Sequence, residues 1–96
     1  MIAVPEVTLP ARLDFAAASA LLAQAKEIVA HGEDCQMVAR EVASIGTACL
    51  QIIVAFEQAL ADQGRRLTLV EPSQAMRDGM LQLGMETLLI RWMGKA

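Results

Sequence analysis

Tyrosine is absent from this chain, and the only aromatic residues are two Phe and one Trp. That scarcity argues against a surface on which single-stranded bases stack, which needs several rings. An excess of positive charge is missing too: the formal net charge is -3. Such a balance argues against a surface that tracks phosphate backbones, so nucleic acid is not an expected partner. Histidine occurs once, at His31, and cysteine twice, at Cys35 and Cys49. The cysteines have neither a CxxC spacing nor a histidine beside them, so no zinc centre and no redox pair is signalled. They read as two small buried hydrophobes. His31 falls at a helix end, where its charge suits the dipole.

Long hydrophobic runs are also missing. Nothing approaches the roughly 18 uninterrupted apolar residues that span a bilayer. The longest charge-free apolar run lies within Val42–Phe56 and is broken by Ser44, Thr47 and Gln51. The start, MIAVPEVTLP, lacks the basic region and apolar block of a secretory leader. The expectation is a cytoplasmic protein without membrane insertion. There is no GxGxxG, Walker loop, HExxH or GxSxG, and the acidic residues form no pair placed for acid–base work. No enzyme activity, cofactor or metal is therefore expected.

What the chain does have is a core. Its 96 residues are 55% hydrophobic and only 20% charged, which suits one folded domain spanning 1–96. That core must be built from Leu, Ile, Val, Ala and six Met. Glu6 to Leu9 alternates like a strand, and Pro10 confines it to an edge or a strand end. Asp14 can cap a helix running to about Ala30. Its apolar stripe would be Phe15, Ala18, Leu22, Ala25 and Val29, flanked by Leu21 and Ile28, with Gly32 as the stop. Cys35 to about Val42 reads as a strand. A second helix runs from Thr47 to about Gln63, with Cys49, Ile53, Phe56 and Leu60 on its stripe. Ile52 lies off that stripe, so the helix is apolar over a wide arc.

Arg66 to Val70 is the clearest strand, entered through the solvated pair Arg65-Arg66. Ser73 follows Pro72 and can cap a helix to Leu83 whose inner face is Met76, Met80 and Leu83. Met85 to Met93 has an ambiguous period and fits either a last strand or a short helix. The methionines suit core filling, while Trp92 suits either a sheet edge or a partner contact. Strands alternating with helices predict an α/β fold with a small, mostly parallel or mixed sheet and helices packed on one side.

Thr47 draws attention because it opens the second helix at the carboxyl end of a strand, where open α/β sheets display their sites. A Thr there can simply cap the helix, contributing about 1 kcal/mol. The excess of apolar residues on the helix that it opens also suits a partner surface.

Three segments, LPARLDFAAASALL, SIGTACLQIIVAF and GRRLTLVEPSQAMRDGMLQLGME, resemble in order and spacing those of a STAS domain. That family includes anti-sigma-factor antagonists, small chemotaxis-linked regulators, the cytoplasmic subunit of a lipid-trafficking ABC transporter and anion-transporter tails. The resemblance spans about residues 7 to 92. It implies a regulatory or adaptor role in bacterial signalling, with binding centred on the turn near Thr47. Partners it implies are a sensor kinase, an anti-sigma factor or another signalling protein, and homodimerisation is compatible with it.

Many members carry Asp-Ser-Ser-Gly-Leu or Asp-Thr-Ala-Gly-Leu at this turn; here it reads Gly46-Thr47-Ala48-Cys49-Leu50. The second hydroxyl, which a kinase phosphorylates in the anti-sigma antagonists, falls on Ala48, and the acidic residue falls on Gly46. Alanine cannot accept phosphate, so the family's serine switch is not expected, and only Thr47 or Ser44 could be modified in its place. The expected partner surface is Ser44, Gly46, Thr47, Ala48 and Gln51, with Ile52 on the exposed side of the helix. Competing roles are a small-ligand sensor for a nucleotide or lipid, and a transporter-associated subunit.

Overall fold

The computed structural model describes residues 5–94. The leader reading rests in part on residues 1–4, which lie outside them. In chain order the elements are β1 (Glu6–Thr8), β2 (Arg12–Leu13), α1 (Phe15–His31), β3 (Cys35–Val38), β4 (Ser44–Ile45), α2 (Thr47–Asp62), β5 (Leu67–Val70), α3 (Gln74–Gln82) and α4 (Glu86–Trp92).

All strand pairings among the described residues are parallel. β3 lies between β1 and β5, with Met37 opposite both Val7 and Leu69. β1 takes an edge and ends before Pro10, both as Pro10 allows. Parallel neighbours need long crossovers, which the helices supply. The fold is thus the expected small α/β arrangement.

The sheet differs from expectation in one respect. The strand read as Cys35 to Val42 ends at Val38. The Ala39 amide still bonds the Val70 carbonyl, but Val42 N then turns back to Ala39 O. After that turn the chain forms β4, which pairs with β2 in a separate two-stranded sheet. This second sheet brings the start of α1 beside the start of α2.

α1 begins where Asp14 accepts a hydrogen bond from the Ala17 amide, and it ends at Gly32, which adopts φ 67°. An L-residue at that φ pays a steric penalty that glycine avoids. The face that α1 turns inward matches the expected one in part, since Ala18, Ile28 and Val29 pack against the core. Leu21 and Ala25 are buried, whereas Phe15 is 85% exposed and Leu22 42% exposed. Alanines surround α1 on several sides, so its pattern did not select one face.

α2 buries Cys49, Leu50, Ile53, Phe56 and Leu60, which includes the whole expected stripe. Ser73 caps α3 by accepting from the Met76 amide, and Met76 and Met80 are fully buried. Leu83, expected to face inward, is instead 47% exposed because α3 stops at Gln82. The ambiguous last segment is a helix, and Trp92 is buried in the core rather than displayed. Both cysteines are free and buried.

Candidate docking surface

Because β2 and β4 run in the same direction, the chain leaves both at the same end. Each is followed at once by a helix: α1 after Asp14, α2 after Gly46. The two helix starts are tied together. Gly46 N donates to Leu13 O at 2.7 Å, and Cys49 Sγ donates to Asp14 O at 3.2 Å. Burial first, and the Asp14 carboxylate second, raise the Cys49 thiol above its ordinary 9.0.

Gly46 occupies a tight place. A Cβ built on it would lie 3.0 Å from the Leu13 carbonyl oxygen. Any side chain here would need the Leu13 carbonyl to give by a few tenths of an ångström. Glycine here lets the two backbones approach each other.

The structure also corrects the role of Thr47. Gly46 is the N-cap of α2, and no side chain caps the helix. Thr47 is the first helical residue, one position too late for its hydroxyl to cap. It is exposed, as are Ser44 and Gln51, while Gly46, Ala48 and Ile52 are half-buried. Ser44 belongs to β4, opposite Arg12, rather than to a free turn. Ile52 was expected on the exposed side of α2. It instead lines the wall of a groove between α1 and α2.

That groove has a volume of about 620 Å³. Ala48, Gln51, Ile52 and Phe56 form its α2 wall, and Phe15 and Leu22 stand on the α1 side. Lys26 is the one charged residue lining it. Apolar side chains that the pattern on α1 placed in the core therefore line an open channel that reaches Ala48, next to Thr47. The signal was present in the sequence, since both helices carry more apolar residues than one buried stripe requires.

α3 supports the turn from the other side. Ser73 Oγ donates to Val42 O. Gly79 faces Ile45 so closely that a Cβ would lie 2.6 Å from Ile45 Cγ2. Arg40 and Glu71, just beyond β3 and β5, form an exposed ion pair at 3.0 Å. Glu71 has φ 51°, the left-handed region that side chains other than glycine enter at a cost.

The family model described as "Mlab, STAS domain" matches residues 3–91. The chain belongs to the STAS family. No curated protein matches it. Membership fits the parallel α/β architecture and suggests a regulatory or anti-sigma-antagonist-like module. STAS domains are generally non-catalytic and typically mediate protein–protein interactions. No helix among the described residues is long and apolar enough to cross a membrane.

Proposed function

We propose that this STAS domain is a non-catalytic cytoplasmic adaptor that docks a protein partner of a bacterial signalling system. The partner of first choice is a sensor kinase or chemotaxis component, and an anti-sigma factor is the second. Docking uses Ser44, Gly46, Thr47, Ala48, Gln51 and Ile52 and extends into the groove between α1 and α2. The observation that carries this proposal is that Ala48, the residue after Thr47, lines that groove together with Gln51 and Ile52, and that its rim holds an 85% exposed Phe15. Large apolar side chains standing together in water mark interaction surfaces.

The partner docks without the family's serine switch. That switch adds about -1.5 to -2 charges at a helix start. Ala48 has no hydroxyl, and its half-buried methyl lines the groove. A groove that gains affinity from apolar contact needs no phosphate to form the complex.

A transporter-associated subunit, a role that the resemblance to STAS domains also implies, is the second reading. Affinity capture from the native host, comparing the natural chain with Gln51→Arg and Thr47→Ala, separates the cases. The signalling reading expects a sensor kinase or anti-sigma factor that Gln51→Arg loses at least about tenfold while its melting temperature holds. A transporter ATPase in its place would move the assignment to the second reading. Phosphate on Ser44 or Thr47 in protein from the host, with binding abolished by Thr47→Asp or Ser44→Asp, would overturn the switch-free mechanism.

A further inference from the structure

The chain is acidic overall, yet three of its eight Lys and Arg residues line one cleft. Arg65 and Arg66 reach it from the entry to β5, and Arg91 from α4; its volume is about 380 Å³. Ala61 and Leu67 give it an apolar wall, and among the described residues Glu57 is the one acid on its lining. Glu57 is committed to Arg91, accepting from Nε at 2.9 Å and from Nη2 as well. Among the described residues neither Arg65 nor Arg66 has a carboxylate partner. Asp34 is nearby in the fold, but it accepts from the Arg66 backbone amide and does not line the cleft.

A plain structural role for these arginines is to offset the carbonyl end of α2, which carries no basic residue in its last turn. Magnitude decides how much charge that role consumes. A helix end is worth about half a negative charge. Together with Glu57 it balances half of the three guanidinium charges, leaving an excess of about one and a half. A phosphoryl group brings about -1.5 to -2 charges and three acceptor oxygens. The planar donor forks of arginine match that group bidentately, and Arg91 is already held in place by Glu57.

We propose that this cleft binds a small phosphate-bearing anion. No aromatic side chain lines it, so recognition is of the phosphoryl group rather than of an attached base. The site is distinct from the docking surface. Thr47 and Ala61 stand at opposite ends of α2, about 20 Å apart at 1.5 Å per residue.

Calorimetric titration of the full chain with pyrophosphate at low ionic strength tests this. Saturable one-site binding is expected, weakened about tenfold by Arg65→Gln and again by Arg66→Gln, and falling as salt rises. Both arginines are exposed, so the variants should keep the native circular dichroism; should the double variant unfold, each single variant gives the reading alone. Thr47→Ala should leave pyrophosphate affinity unchanged, which separates this site from the docking surface. No saturable heat, or an affinity indifferent to both substitutions, would overturn the proposal.

Discussion

Replacing Gly79 by alanine sets two effects of opposite sign against each other. Gly79 lies inside α3, where alanine is favoured over glycine by about 1 kcal/mol. The new methyl, however, would lie 2.6 Å from Ile45 Cγ2. Carbon atoms pack best at about 3.5 to 4.0 Å, so roughly 1 Å must be found. Cγ2 is bonded directly to the Ile45 β-carbon, so it can retreat only by an off-rotamer turn or by a shift of β4. β4 is held by its pairing with β2 and by the Gly46–Leu13 hydrogen bond at 2.7 Å.

Overpacking of this kind costs about 1 to 3 kcal/mol. The net expectation is a loss of about 1 kcal/mol, or roughly 4 to 8 °C in Tm for a domain of this size. Ile45→Ala should by itself cost up to about 2 kcal/mol, since the side chain is only half-buried. In that background the obstructing methyl is gone, and Gly79→Ala should become stabilising by about 1 kcal/mol. Urea unfolding followed by circular dichroism measures all four members of the cycle. A stabilising Gly79→Ala in the natural background, or the same effect in both backgrounds, would refute the claim that Gly79 exists to admit Ile45. Because Ile45 leads directly into Gly46 and Thr47, the single variant should also weaken partner capture.

Other expectations follow from single contacts. Ser73→Ala removes both the α3 cap and the bond to Val42 O, and should lower stability by about 1 to 3 kcal/mol in thermal unfolding. Thr47→Ala should change stability by no more than about 0.5 kcal/mol, because Gly46 holds the cap position; a drop of about 1 kcal/mol or more would return Thr47 to a capping role. Burial pushes the Cys35 thiol up to about 11 from an ordinary 9.0, so the folded state holds its proton where the unfolded state has lost it. The stability this contributes is complete below pH 9 and declines as pH rises toward 11; Cys35→Ala should flatten that decline in denaturation curves taken across the interval.

Local chemistry made much of the fold legible. Asp14 and Ser73 announced helix starts, Gly32 announced a stop, and the alternation of strands and helices announced a parallel sheet. Each is a signal carried by one residue or one short period. The features that escaped depend on packing between distant segments. β2 and β4 are two residues each, too short for any period to show. The capping position is held by Gly46, whose backbone sits close against the Leu13 carbonyl, a contact that spans 33 positions in sequence. On α1 the alanine-rich surface left several faces equally apolar, so the face that packs was decided by the sheet and by α2. At the surface around Thr47, the exposure of Ser44, Thr47 and Gln51 matched the sequence pattern. The groove wall formed by Ile52, Phe15 and Leu22 did not, since those side chains had been placed on other faces.

Photocrosslinking in the native host tests the docking surface most directly. A benzoyl-phenylalanine at Gln51, exposed on the rim of the groove, should form a covalent adduct with one signalling protein. The same probe at Glu6, exposed at the start of edge strand β1 and outside the groove, should give none. An adduct from position 6 with nothing from position 51 would place the partner elsewhere and contradict the account.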